Sequence, residues 1–261
     1  MALLRGEGIV LKTHALGDTS RIAVVYTRDH GLVKLVAKGA RRTPSRFGFA
    51  LEPLSRARFV LYHKPDRDLQ LLSQAECVRA TGSELSDLVR LAHAEAALEL
   101  VDRLVWGEEP HAELFDLLVA ALERAVVVPL EALPAVTAAF QLQVAALLGY
   151  HPRMDACAQC AGPVSPRRIF SPTRGGLLCD RCAAGEPGSI TLSADALAAI
   201  VLLLQRPIEQ AGSAAEAKRP GELLRVIEAY LRAQFHRFQG LRSLEMLRAL
   251  TPPEPKRENV A

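Results

Sequence analysis

The chain has 261 residues, 49% of them apolar, and a formal net charge of +3. That is room for two domains and a small inserted module, with apolar content normal for a packed soluble protein. No eighteen consecutive apolar residues occur, which argues against a membrane span, and the few residues at the start are too short for a signal peptide.

The charge is unevenly placed. Residues 1–80 carry fourteen Lys/Arg against seven Asp/Glu, whereas the remainder carries eighteen against twenty-two. A basic first third on a mildly acidic remainder concentrates any polyanion binding near the N-terminus.

Short runs rich in β-branched and apolar residues recur through that first third. The pattern predicts strands over residues 8–12, 21–27, 32–38, 57–62 and 69–74. Asp29-His-Gly31 and Pro65-Asp-Arg-Asp68 supply tight turns, joining the second strand to the third and the fourth to the fifth. Five short strands in about eighty residues suit an OB-type barrel, with an SH3-like barrel or an open meander as alternatives. Cys77 falls in strand-like text and reads as a small buried residue.

The connection from the third strand to the fourth is basic. Counting from Lys34, the cations Lys34, Lys38, Arg41, Arg42 and Arg46 precede the first acid, Glu52. Glycine and proline keep this stretch out of regular structure, leaving its cations free to move onto a phosphate track. Tyr26, Phe47, Phe49, Phe59 and Tyr62 lie nearby in sequence, so stacking on single-stranded bases is available in principle. Aromatic residues make up only 5% of the chain. Phosphate contacts are therefore expected to dominate, giving weak sequence preference and strong salt dependence. An ordinary solvated loop beside core aromatics is the competing reading.

From Ser83 the apolar period becomes helical. Ser83 and Ser86 are candidate N-caps of a helix reaching about Val105, and a second helix is predicted over residues 111–126. A third runs from near Leu133-Pro134 to Leu148, with Gly149 as its stop. Later helical text covers residues 194–204, behind a Ser193 cap, then 221–238, and a short stretch within 240–250. The proline-rich, charged tail over residues 251–261 reads as disordered. The division expected is a barrel over residues 1–80, a helical domain over 81–250 and that tail.

Within the helical text stand Cys157-Ala-Gln-Cys160 and, eighteen residues later, Cys179-Asp-Arg-Cys182. Two such pairs match a four-cysteine zinc site, with one knuckle per pair and the loop between letting them face each other. The insertion is expected over residues 151–186. Four thiolates leave no open position for water or substrate, so the Zn2+ expected at Cys157, Cys160, Cys179 and Cys182 is structural. Disulfides need an oxidising compartment, and paired knuckles favour zinc over an iron–sulfur cluster. His93-Ala-Glu95 and His111-Ala-Glu113 fit half of the zinc deaminase signature. That signature requires proline before the first cysteine, where Ala156 stands, and leaves the second pair idle. Both histidines therefore read as surface residues of amphipathic helices. Cysteines committed to metal point to the reducing cytoplasm.

This order of parts resembles the RecO family of bacterial DNA repair proteins. The text that carries the resemblance begins with Glu7-Gly-Ile-Val-Leu-Lys12, Gly17-Asp-Thr-Ser-Arg21, His30-Gly31 and Val36-Ala-Lys-Gly-Ala-Arg-Arg42. It continues with Gln74-Ala-Glu76, Leu147-Leu-Gly-Tyr150, Gly175-Gly-Leu-Leu-Cys179 and Leu241-Arg-Ser-Leu244. The resemblance implies an α+β protein without catalytic activity, a recombination mediator that binds single- and double-stranded DNA and anneals complementary strands. With the partner RecR it would help load RecA onto DNA coated by single-strand-binding protein, whose acidic C-terminal tail it would contact. It implies Arg21, Lys34, Lys38, Arg41, Arg42 and Arg46 as DNA contacts, the four cysteines as zinc ligands, and a cytoplasmic, nucleoid-associated location without membrane partners. Other readings are a zinc-ribbon accessory protein of transcription or translation, without annealing activity, and a hydrolytic zinc enzyme, which four thiolates argue against.

Overall fold

The barrel closes through its first strand, β1 (Ala2–Leu16), which is long enough to serve two neighbours. Its first half pairs with β4 (Ser55–His63) and its second half with β2 (Ser20–Thr27), with the register shifting between Val10 and Lys12. The extra residue there bends the strand so that it turns from one side of the barrel to the other. Gly8 sits where both neighbours meet β1, and a Cβ on it would lie 2.5 Å from Val25 Cγ1. β2 continues through the turn at Gly31 into β3 (Gly31–Ala37), and β3 pairs in parallel with β5 (Leu69–Ala80). The closed order β1-β2-β3-β5-β4 is that of an OB-type barrel, as the strand count predicted. The computed structural model describes residues 2–213 and 218–250. The expected tail, with Lys256 and Arg257, and residues 214–217 before the last long helix lie outside them.

The inner residues of the strands form one core, with Val10, Val25, Leu35, Phe59 and Leu61 at its centre. The outer face of β1 and β2 belongs to a second core. Ile9, Leu11, Val24 and Tyr26 pack with the helices α2 (Leu88–Leu104) and α3 (Ala112–Val127), so the barrel and the helices share an apolar seam. Lys12–Asp102 at 2.5 Å and Arg28–Asp116 at 2.7 Å close its polar rim. The bundle is completed by α4 (Leu133–Leu147) and by three helices beyond the cysteine insertion: α6 (Ala194–Gln205), α7 (Pro220–Gln234) and α8 (Arg242–Leu250). The stretch Leu130–Leu147 has the length and hydropathy of a membrane span although charge-poor rather than uninterruptedly apolar, and 67% of it is buried inside the bundle.

Several local expectations need correction. The helical text after Ser83 is broken: a single turn, α1 (Thr81–Glu84), precedes α2, whose cap is Asp87. Its Oδ1 accepts from Val89 N at 2.8 Å and Arg90 N at 3.2 Å, while the Ser83 hydroxyl donates backward to Ala80 O. A carboxylate at the first turn also meets the helix dipole, which a serine would not. Cys77 is exposed, not buried. Between Cys77 and Arg79 the pairing with β4 skips Val78, and the strand turns outward past Leu72.

His93 is buried rather than surface-facing, and its Nδ1 lies 2.7 Å from Thr137 Oγ1 on α4. His111 is exposed, as expected. Burial pushes the His93 pKa down to about 4. The folded chain thus refuses a proton that the unfolded chain accepts near pH 6.5. Stability contributed by neutral His93 is complete above that pH and falls as pH drops toward about 4, by on the order of 3 kcal/mol. Urea unfolding between pH 7 and pH 4.5 should show this loss, and His93→Gln should flatten it. An equally steep loss in the variant would place the acid sensitivity elsewhere.

Candidate nucleic-acid interface and metal centre

The connection from β3 to β4 is anchored, contrary to the freely moving loop expected. Ala40, Phe47, Ala50 and Leu51 belong to the barrel core, the last two within a 3-10 turn, Gly48–Leu51. Each large buried side chain here stabilises the closed form by roughly 1.5–3 kcal/mol. At its start the connection docks on the β1–β2 turn: Arg41 N donates to Thr19 O at 3.0 Å and an Arg41 guanidinium N–H donates to Gly17 O at 2.6 Å. The segments Gly17–Arg21 and Val36–Arg42, separate in sequence, thus form one surface.

The six expected cations divide into groups. Arg21, Arg41 and Arg42 line a hollow of about 290 Å³ together with Thr43, Ser45 and Glu52. Lys38 lies exposed on the turn just before it, and neither Lys38 nor Arg42 makes an ion pair among the described residues. Arg21 is bound to Glu52 at 2.7 Å. Lys34 stands apart on β3, held by Asp68 at 2.8 Å. Both pairs are partly exposed and so contribute little to stability. Arg46 leaves the hollow and stacks over the Phe47 ring at 4.5 Å, on the rim of a second, larger groove of about 940 Å³.

That groove crosses β1, β4 and β5 and contains two cations that the sequence reading passed over, Arg5 and Arg58. They come together because Gly6 pairs with Phe59 and Glu7 with Arg58. Alternation along β4 marks Arg58 as outward-facing, but its meeting with Arg5 depends on register between strands fifty residues apart. Glu7 and Glu76 also line the groove, so its field is mixed rather than uniformly positive.

Of the five aromatics considered for stacking, Tyr26, Phe47 and Phe59 are core residues, and Tyr62 is half-buried. Phe49 alone of these is largely exposed, at 69%. The barrel therefore offers phosphates many partners and bases few.

The four cysteines converge as their spacing predicts. Their sulfurs all lie within 4.8 Å of one another, and Cys160 Sγ to Cys179 Sγ is 3.8 Å. A tetrahedral ion with metal–sulfur bonds of about 2.3 Å needs sulfur–sulfur edges of about 3.8 Å, so the donor set fits a metal ion. The first knuckle turns through Ala161, at φ +61°, rather than through Gly162. Cys157 N donates to Gly162 O, and Ala161 N to Cys157 O, each at 2.8 Å. The second knuckle opens the short helix α5 (Asp180–Ala183), where Cys179 Sγ accepts from Cys182 N. Burial opposes ionisation of Cys157, but backbone N–H groups from Cys160, Cys179 and Gln159 outweigh it and bring the thiol down to about 6. Crowding by the neighbouring sulfurs, Cys179 first, pushes Cys182 up to about 12. Four cysteine sulfurs at this spacing are positioned to bind a metal ion.

The insertion is tied back into the bundle. Its small sheet sets β6 (Ile169–Ser171) between β7 (Gly176–Leu177) and β8 (Ile190–Thr191). Phe170 and Leu177 join the helical core, and Tyr230 on α7 donates to Tyr150 O at 2.6 Å. The insertion carries the arginines Arg153, Arg167, Arg168, Arg174 and Arg181; Arg167 is taken up by Asp180 and Arg174 by Glu186, while Arg153 and Arg181 are exposed and make no ion pair among the described residues.

Family comparison agrees with this arrangement of barrel, bundle and knuckle. The family model "Recombination protein O N terminal" matches residues 1–81, and "Recombination protein O C terminal" matches residues 85–245. The chain belongs to the RecO family. Among its relatives, the DNA repair protein RecO of Streptomyces griseus is 37% identical over 250 residues, covering 94% of this chain and 98% of the relative. That of Rubrobacter xylanophilus is 38% identical over 235 residues, covering 89% and 92%. That of Anaeromyxobacter dehalogenans strain 2CP-C is 38% identical over 214 residues, covering 82% of each. The match extends across both halves of this RecO chain, so barrel and bundle carry the family character together.

The metal centre is tested on the purified chain. One tightly held metal ion per chain is expected by elemental analysis, and Cys157→Ser should lose it and lower Tm by at least about 5 °C. A folded, metal-free chain of unchanged Tm would contradict the assignment.

Proposed function

We propose that this RecO chain is a recombination mediator that holds DNA by its phosphates along the β3–β4 connection and anneals complementary strands. The observation that carries the reading is the anchored connection: Phe47, Ala50 and Leu51 sink into the barrel while Lys38, Arg41, Arg42 and Arg46 stay at the surface. Cations fixed beforehand lose little freedom when a polyanion arrives, and they neutralise phosphates without reading bases. Bringing two strands together then meets less repulsion. Arg21 and Lys34 join when their carboxylate partners exchange for phosphate, and Arg5 and Arg58 extend the track past Arg46. The same surface takes single and double strands, since each presents phosphates.

The ion we assign to Cys157, Cys160, Cys179 and Cys182 is Zn2+, in a structural role, because four thiolates fill its coordination. It would fix the two knuckles and, through them, the sheet that plugs Phe170 into the bundle. In the cytoplasm, at the nucleoid, the mediator acts with RecR to help load RecA onto DNA coated by single-strand-binding protein. For the acidic C-terminal tail of that protein we favour the groove of about 730 Å³ between the insertion and α6. Arg153 supplies a cationic group there, beside His151 and the carboxylate of Asp155, and Pro152, Met154, Val201 and Leu204 supply an apolar floor. An acidic peptide with apolar residues matches that combination.

Replacing Arg41, Arg42 and Arg46 together by alanine should weaken DNA binding equally across sequences. It should also shallow the log–log salt dependence for single strands by about 2, at about 0.7 per lost phosphate contact. The variant should anneal strands coated by the cognate single-strand-binding protein more slowly than the parent. Unchanged slope and affinity would move the track elsewhere. A parent chain that neither anneals coated strands nor binds the acidic tail would favour the accessory-protein reading.

A further inference from the structure

The chain has one tryptophan, and it lies mostly in solvent. Trp106 is 64% exposed just past the C-terminus of α2, and the Arg237 guanidinium rests 3.9 Å from its ring centroid. Aromatic residues are scarce in this protein, and the largest of them is kept out of both cores.

Neither partner stands on a loose loop. Leu32 N donates to Gly107 O at 3.0 Å. The turn at Gly31 presses so closely on the same loop that a Cβ there would lie 2.6 Å from Glu109 O. His63 Nε2 meets Glu108 Oε2 at 3.0 Å. On the other side Phe238 and Leu241 are buried, and Arg103 donates to Gly240 O. The indole is thus held where the barrel meets the bundle, with one face against a cation and much of its surface open. Arg237 makes no ion pair among the described residues, and neither does Arg242 nearby in sequence, so positive charge remains for an anion.

A rigid, exposed indole backed by a guanidinium suits the π-face of a nucleobase, whatever the base. Bases in a duplex are already stacked on each other, so the site favours single strands. Glu108 is engaged by His63, but Glu109 leaves a carboxylate on the same loop, which suits a one-nucleotide anchor better than a continuing phosphate track.

We propose that Trp106 and Arg237 form a stacking site for an unpaired nucleobase, with Arg237 reaching the adjoining phosphate, so that a single strand lying on the barrel is held again at the barrel–bundle seam. The proposal rests on the DNA-binding reading above and adds a strand preference that the barrel cations do not supply.

The test uses the full chain with an oligothymidylate of about 15 nucleotides and a duplex of the same length. Emission from the single tryptophan reports this position alone. The oligothymidylate should quench it saturably, with the midpoint seen by anisotropy of a labelled strand, whereas the duplex should bind with little quenching. Trp106→Ala should weaken single-strand binding roughly 5- to 100-fold with the salt slope and duplex affinity unchanged, and Trp106→Phe should retain most of the affinity. Arg237→Gln, which leaves the indole in place, should weaken it several-fold. Unquenched emission at saturating oligothymidylate, with Trp106→Ala and Arg237→Gln binding like the parent, overturns the stacking site and leaves the barrel interface standing. Equal weakening for single strand and duplex overturns it too, as a general structural effect. No binding of oligothymidylate by the parent overturns both readings.

Discussion

Parallel pairing of β3 with β5 is the constraint on which the candidate interface depends. With β5 beside β3, the chain leaving β3 must travel around the barrel before it can enter β4 on the far side of β5. Residues 38–54 make that journey, and Ala40, Phe47, Ala50 and Leu51 fasten it to the barrel core on the way. What a connection of this length would lose in entropy is recovered by apolar burial. The cations between the anchors have no core to enter and stay at the surface, Arg41 on the Gly17 carbonyl and Arg46 over the Phe47 ring. An exposed cationic surface results from topology and the hydrophobic effect, with charge supplied only by the residues left outside.

The same reasoning applies at the insertion. The paired knuckles are small and have few apolar residues of their own, so they cannot hold shape by burial alone. The four clustered sulfurs are positioned to supply that closure by binding a metal ion, and Phe170, Leu177 and the Tyr230–Tyr150 hydrogen bond tie the insertion to the bundle. The basic character of the region is partly spent internally, since Arg167 and Arg174 brace Asp180 and Glu186. The four-cysteine cluster and the basic barrel connection thus lie in separate parts of the fold, the first within the insertion and the second on the barrel surface.

What could be read from the sequence follows the range of the interactions involved. Strand centres such as residues 21–27 and the cysteine spacing are local patterns, and both held. Strand ends were missed because partners set them: β5 runs on to Ala80 only because Ser55 on β4 pairs there. His93 carries no local sign of burial, as its partner Thr137 belongs to another helix. Arg5 and Arg58 join the groove through register, and Trp106 meets Arg237 through packing of the whole bundle. The aromatics near the basic connection misled for a related reason. A strand core needs large side chains, and Tyr26 and Phe59 fill that need before any base can claim them.

The most direct test of this account is a map of where DNA touches the protein. Photochemical cross-linking of single-stranded DNA to the full chain, read by mass spectrometry of the peptides, provides it. Cross-links within residues 38–49, with further ones on the β1 and β4 segments that carry Arg5 and Arg58, are the predicted result. Cross-links confined to the cysteine insertion, with the barrel left bare, would contradict it.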